Sequence, residues 1–265
     1  WDSDPDAEYE ESRLKARFLT DAAQEAAPRP AFQLIETMRA EAGVVPLLGG
    51  HADRLRTSAA YFGYPFDEAA FRKQVTEAAF RSVDQPHKVR ALLDAAGLLT
   101  VTATPLGEPF GGYRHVVVSE HRTDRDDAFF FHKTTRRVLY ESEYQRARAA
   151  GFDEVLFLNG QGEVTEGSRT NIFVQVDDAL YTPPVASGLL GGVYRRHVLD
   201  SFPNASERIL HLKDLLAADA LYLCNAVRGL QRVEEIVEEG SGKGEEGSGK
   251  GEEGLSDSYE YEEHC

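Results

Sequence analysis

Short apolar runs closed by glycine or proline turns alternate with longer helical stretches from Ala31 to about Ile236. That alternation restricts the chain to a mixed α/β architecture. The pattern predicts strands at Ala31–Met38 and Val44–Leu48 around a turn at Gly43, then helices over Gly50–Tyr61 and Asp67–Arg81. Strands are expected at Lys88–Asp94, Leu98–Pro105 and His115–Glu120. A second unit is expected to hold a helix over Arg137–Ala150 and strands at Glu154–Leu158, Asn171–Val176 and Leu221–Cys224. Its remaining helices are predicted over Val193–Ser201 and Lys213–Ala217. This divides the folded part into a small α/β unit, 31–112, and a larger unit, 113–236.

The two ends read differently. Residues 4–20 suit an amphipathic helix with Asp4 or Asp6 as cap and Leu14, Phe18 and Leu19 as its apolar stripe. Asp21 to Pro30 is rich in Ala and Pro and reads as a linker. The sequence Gly-Ser-Gly-Lys-Gly-Glu-Glu stands twice in succession at 240–246 and 247–253. Such a composition cannot bury a core, so 237–265 is expected to be a flexible acidic tail with no catalytic role.

At 265 residues the chain is long enough for one large domain or two modest ones, and no apolar stretch is long enough to span a bilayer. Its beginning is acidic and polar, unlike a signal peptide. The two cysteines, Cys224 and Cys265, suit a reducing compartment rather than a disulfide framework, so a cytoplasmic location is expected. No histidine stands at metal-ligand spacing, and no metal site is expected. Net charge is −16, of which eight acidic residues and two lysines place −6 in residues 240–265. That excess disfavours nucleic acid as a partner. It leaves room for an anionic small molecule, because a few buried arginines make a local positive site.

The chemistry concentrates in two segments. Lys133 follows Phe129-Phe130-Phe131-His132, and an amine against aromatic surface loses hydration, which favours its neutral, nucleophilic form. Glu166 opens the run Glu166-Gly167-Ser168-Arg169-Thr170-Asn171-Ile172-Phe173, read as a polar turn before a strand that can hold a fixed negative charge. A lysine for a Schiff base and a carboxylate for a pyridinium nitrogen are what pyridoxal 5'-phosphate chemistry requires. Further on, Leu189-Leu190-Gly191-Gly192-Val193-Tyr194-Arg195 places glycines at an expected helix start, whose free amides bind phosphate.

The run from Glu166 to Arg195 resembles the signature of the class IV aminotransferases, the fold-type IV pyridoxal phosphate enzymes, and the likeness covers about residues 31–236. His51-Ala52-Asp53-Arg54-Leu55 resembles the segment whose arginine contacts the cofactor phosphate in that family. The resemblance implies a small N-terminal α/β domain and a larger C-terminal pseudo-barrel domain. It makes Lys133 the Schiff-base lysine, Glu166 the partner of the pyridine nitrogen and Arg54 a phosphate ligand. Gly192, Val193, Tyr194, Asn225 and Ala226 complete the phosphate cup. Tyr194 stands where aminotransferases commonly have threonine.

Within the family, Phe32–Arg39, Ser58–Gly63 and Cys224–Gly229 look most like the 4-amino-4-deoxychorismate lyases, as in the C-terminal part of fused aminodeoxychorismate synthases. These make 4-aminobenzoate and pyruvate in folate biosynthesis. Trp1–Pro5 and Glu11–Arg17 resemble the end of a chorismate-utilising domain, so 1–30 is expected to be the terminal helix of an upstream domain plus linker. By this likeness Thr37 is catalytic, Arg90, Arg169 and Arg228 are candidates for substrate carboxylates, and a homodimer is expected. Two rivals remain open: a branched-chain or D-amino-acid aminotransferase of the same fold, and a non-catalytic module that docks on a synthase domain.

Overall fold

The computed structural model describes residues 32–80, 84–107 and 110–238. The helix expected over 4–20 and the acidic tail lie outside the described residues. Two sheets organise the rest. The first is antiparallel, ordered β1 (Leu34–Ala40), β2 (His87–Leu93), β3 (Leu99–Pro105). Two helices, α1 (Leu48–Phe62) and α2 (Glu68–Phe80), connect β1 to β2 and cover one face.

Strand alternation divides the small sheet's residues between its faces. Leu34, Met38, Val89, Ala91 and Leu93 are buried with Ala52, Leu55 and Ala59 of α1 and Phe71, Val75 and Ala79 of α2. The intervening positions point away from the helices. Thr37 stands directly across from Arg90 in the β1–β2 register.

The second sheet has eight strands: β4 (Tyr113–Thr123), β5 (Glu154–Asn159), β6 (Val164–Gly167), β7 (Asn171–Val176), β8 (Ala179–Thr182), β9 (Ala205–Glu207), β10 (Ala220–Asn225) and β11 (Gly229–Glu238). Their order is β6-β5-β4-β11-β10-β7-β8-β9, and the sheet curls into a half-barrel. Pairing is mixed, with β4 parallel to both β5 and β11. The parallel step from β4 to β5 requires a crossover, made by α3 (Val138–Ala149). Val116, Val118, Leu156, Leu158, Ile172, Val174 and Leu223 fill one side of the curl. Val117, Val155 and Phe157 face the other way onto Ala147 of α3. The fourth helix, α4 (Val193–Ser201), sets Val198 against Phe173 and Cys224, and α5 (Leu212–Leu216) adds Leu215 to the core of the curl.

Several sequence expectations need correction. Val44–Leu48 is not a strand. Val44 makes a single bridge to Glu41 across a turn whose Ala42 and Gly43 have φ of 49° and 76°. Pro46 then removes the amide needed to continue a ladder, and Leu48 already begins α1. Glu166 is not in a turn but in β6; the turn is at Ser168–Thr170, after it. Four strands went unread. β6, β8 and β9 have four residues or fewer, too short for alternation to register. β11 carries Arg232, Glu234 and Glu235, which mask its strand character.

Among the described residues no helix is long and apolar enough to cross a membrane. Phe71 is fully buried where α2 meets the small sheet, so Phe71→Ala is expected to cost about 3–5 kcal/mol. Urea titration of the two proteins measures it, and an unchanged midpoint would contradict this packing.

Candidate active site

A cavity of about 890 Å³ opens between the outward face of the small sheet and the ends of β6, β7 and β10. Every residue singled out above lines it: Thr37, Arg54, Arg90, Lys133, Glu166, Arg169, Gly192, Val193, Tyr194, Asn225, Ala226 and Arg228. They come from both halves of the chain.

Lys133 is carried by a loop after β4, and backbone pairing with the first strand holds that loop. Ile35 N donates to Lys133 O at 2.8 Å, Thr135 N to Gln33 O at 2.9 Å, and Gln33 N to Thr135 Oγ1 at 2.9 Å. His132 packs beside it on Tyr61 and Phe62 and lies 2.9 Å from Ser58 Oγ, so it is a packed histidine. The amine of Lys133 is pushed down from 10.5 to about 7. Burial is the first cause, then the charges of Arg137 and Arg54, against the opposing pull of Glu36 and Glu166. A large share of this lysine is therefore neutral, and nucleophilic, at neutral pH.

Glu166, on β6, lines the cavity and is almost fully buried. Oε1 accepts from Tyr140 Oη at 2.9 Å and from the Leu190 amide at 3.2 Å. Oε2 accepts from Asn171 Nδ2 at 3.1 Å. Burial raises its pKa from 4.5 to about 7, against the hydrogen bonds from Leu190 and Tyr140 and the charges of Lys133 and Arg137. Its hydrogen-bond donors are all neutral, so a cation brought into contact would restore the ionised form. The turn that follows is shaped by Glu154, a buried carboxylate that accepts from Ser168 Oγ and from the amides of Ser168 and Arg169.

Arg54 projects from α1 and is clamped by Glu36 of β1. Nε reaches Oε1 at 2.9 Å and Nη2 reaches Oε2 at 2.6 Å. His51 Nδ1 lies 2.7 Å from the same Oε2. Burial alone would raise the pKa of Glu36, but the charge of Arg54 and the hydrogen bonds from His51 and Arg54 prevail and lower it to about 2. The clamp turns Nη1 toward the start of α4, where it donates a long hydrogen bond to Gly191 O at 3.5 Å.

That carbonyl leads into the start of α4. Gly192 is the cap residue and offers no side chain, so the first amides of the helix are left for a ligand. A Cβ on Gly192 would overlap Asn171 Oδ1, so glycine is required there. Tyr194 packs its ring against His197 and approaches Gly229, which leaves its amide for the cavity. At the β10–β11 hairpin, Asn225 Oδ1 accepts from the amides of Val227 and Arg228, so its side chain shapes the turn that presents Ala226. Cys224 is buried, and burial pushes its thiol up to about 12, which leaves it a packing residue.

The arginines differ in how far they are committed. Arg169 pairs with Glu141 at 3.0 Å and lies over the Tyr144 ring, and Arg228 lies over Phe110. Arg90 and its neighbour Lys88 have no side-chain partner among the described residues. Sequence reasoning missed Glu36, His51, Tyr140 and Asn171. Tyr140 follows Lys133 by seven residues and is recognisable only once α3 is seen to pass behind Glu166.

The family model for class IV amino-transferases matches residues 33–236. The chain belongs to the class IV aminotransferase family. It is 26% identical to the D-alanine aminotransferase of Bacillus licheniformis over 79% of this chain and 80% of that protein. It is 35% identical to the aminodeoxychorismate lyase of Bacillus subtilis, over 35% of this chain and 33% of that one. The solved branched-chain aminotransferase of Thermoproteus uzoniensis with norvaline superposes with a TM-score of 0.69 at 26% identity, covering 77% of this chain and 78% of that one. Class IV aminotransferases are pyridoxal-phosphate enzymes, and the fold is theirs.

The residues present fit that cofactor. Lys133 is a partly neutral amine, Glu166 a buried carboxyl without a contacting cation, and the uncapped α4 amides beside Arg54 Nη1 suit a phosphate. A class IV enzyme of this kind should depend on Glu36 twice over. Glu36→Gln releases Arg54, and the dissociation constant for pyridoxal phosphate should rise by about tenfold, read from the visible absorption on titration. The Glu36 carboxyl also stabilises the fold above its unfolded value of 4.5, and that stability is lost as pH falls toward about 2. The difference amounts to roughly 3 kcal/mol, and the variant should lack that acid limb in urea midpoints measured against pH.

Proposed function

We propose that this chain is a lyase that converts 4-amino-4-deoxychorismate to 4-aminobenzoate and pyruvate. One observation carries the reading. In a chain of net charge −16, the cavity is lined by Arg54, Lys88, Arg90, Lys133, Arg136, Arg137, Arg169 and Arg228 against Asp127, Glu141 and Glu166. Such a cavity suits a substrate with two carboxylates, and aminodeoxychorismate has two. A branched-chain or D-alanine substrate offers one carboxylate and asks for apolar walls.

Pyridoxal phosphate, when bound, supplies an acceptor for the electrons released as a proton leaves the carbon next to the substrate nitrogen. The protein's residues do the rest. Lys133 would hold the cofactor through its partly neutral amine, and the same amine is the base placed to take that proton. Glu166, oriented by Tyr140, Asn171 and the Leu190 amide, would keep the cofactor's ring nitrogen protonated, and Arg54 with the α4 amides would hold its phosphate. Thr37, across from Arg90, stands where a hydroxyl can assist proton transfer to the leaving oxygen. Departure of the enolpyruvyl ether as pyruvate leaves an aromatic ring, so the site has mainly to position and ionise.

An aminotransferase would use the same Lys133 and Glu166, and several relatives carry that name. Feeding aminodeoxychorismate with pyridoxal phosphate should yield 4-aminobenzoate and pyruvate in equal amounts without any added 2-oxo acid. Lys133→Ala should lower that rate by a thousandfold or more, about 4 kcal/mol of barrier. Amino-group exchange without pyruvate release would favour the aminotransferase. A protein that develops no visible band with added cofactor would favour the non-catalytic module.

A further inference from the structure

Arg137 is the neighbouring cation that does most to push the Lys133 amine down, and it plays no part in the scheme above. It stands at the start of α3, four residues after Lys133, and lines the cavity. One close hydrogen bond sets its position, and the Tyr140 ring centroid lies 5.9 Å from its guanidinium carbon. Nη2 donates to the Ser168 carbonyl at 2.6 Å, in the turn that follows Glu166. Nε is buried without a hydrogen-bond partner, and Glu141 Oε2 is 4.0 Å from it. Nη1 has no partner among the described residues. A guanidinium held in this way, with donors left unmet beside a reactive amine, is poised for a ligand oxygen, since a buried unpaired donor is costly to keep.

The other cavity cations are placed differently. Arg54 is clamped by Glu36, Arg169 is paired with Glu141 at 3.0 Å, and Arg228 and Arg136 lie 4.4 and 4.1 Å from the Phe110 and Phe129 rings. Each is closer than the matching contact of Arg137, which is 4.0 Å from Glu141 and 5.9 Å from the Tyr140 ring. That leaves two unmet positive positions: Arg137 beside Lys133, and Arg90 with Lys88 on the small sheet. The proposed substrate has the same layout. Its enolpyruvyl carboxylate hangs from the ring carbon next to the one that bears the reacting nitrogen, and its ring carboxylate is at the opposite end.

We propose that Arg137 is the specificity residue that receives the enolpyruvyl carboxylate, the group that departs as pyruvate, while Arg90 and Lys88 face the ring carboxylate. The assignment rests on the lyase reading for the identity of the substrate. In the elimination the bond between ring carbon and ether oxygen breaks, and its electron pair leaves with the oxygen as enolpyruvate. A proton is lost from the neighbouring ring carbon and one is gained by the departing enol's methylene. No oxidant or reductant is needed. A cation on the departing carboxylate holds the ether in line for this loss and keeps the fragment from rotating away.

The test uses holoenzyme, reconstituted with pyridoxal phosphate, in wild-type, Arg137→Gln and Arg137→Lys forms whose visible band confirms an intact site. Dissociation constants are measured for pyruvate, for uncharged pyruvamide and for 4-aminobenzoate, from perturbation of that band. In Arg137→Gln, pyruvate should weaken by about tenfold or more, while pyruvamide and 4-aminobenzoate stay within about twofold. Arg137→Lys should recover part of the loss. Pyruvate affinity unchanged in Arg137→Gln, or all three ligands weakened together, would overturn the assignment. If the wild type binds pyruvate through Arg137 yet makes no 4-aminobenzoate, the lyase reading fails and the carboxylate contact stands.

Discussion

The pairing of the Gln33–Ile35 backbone with Lys133–Thr135 is the contact on which the rest of the site depends. It joins the first strand of the small sheet to a loop that belongs, in chain order, to the large one. Closing a loop of about a hundred residues costs conformational entropy, and the two apolar cores on either side offset it. Once made, the pairing brings Lys133 between two buried carboxylates, Glu36 from the small sheet and Glu166 from β6. It also brings the amine under the charges of Arg54 and Arg137, which come from different helices. The neutral fraction of Lys133 at neutral pH is therefore a property of how the two halves meet.

The electrostatic arrangement follows from that meeting. An acidic protein would ordinarily repel a dianion. Here the acidic residues that line the cavity are few, and one of them, Glu141, is already occupied with Arg169. The cations left over face inward, and low-polarity walls strengthen their field. Glu166 is the exception, a carboxyl whose burial leaves it half-protonated near neutrality until a cation reaches it. Both reactive groups are poised close to neutral pH by burial first and by neighbours second.

Much of the fold was legible from the chain. Asn171–Val176 and Val193–Ser201 form the strand and helix their patterns predict, because long alternation and a glycine-led helix start are strong local signals. Val44–Leu48 misled because apolar content alone does not make a strand when Pro46 interrupts the ladder. β6, β8 and β9 are strands through their neighbours rather than through their own residues, and three or four positions hold too little pattern to read. In the site, Lys133, Glu166 and Arg54 were recognisable by residue type in a motif. Glu36 and Tyr140 were not, because a buried glutamate and a helix tyrosine have ordinary readings until their partners are seen.

The sequence by itself determined the mixed α/β class, the reactive lysine, the family signature and the segments that would surround a phosphate. These depend on local chemistry and on spacing along the chain. Only the tertiary structure decided which arginines are free. Arg169 and Arg228 look equal to Arg90 and Arg137 as letters, but a close ion pair or aromatic face commits the first two, while Arg90 has no side-chain partner among the described residues and Arg137 keeps a buried Nε without a hydrogen bond. Commitment of a charge depends on partners far away in sequence, and no local pattern records them.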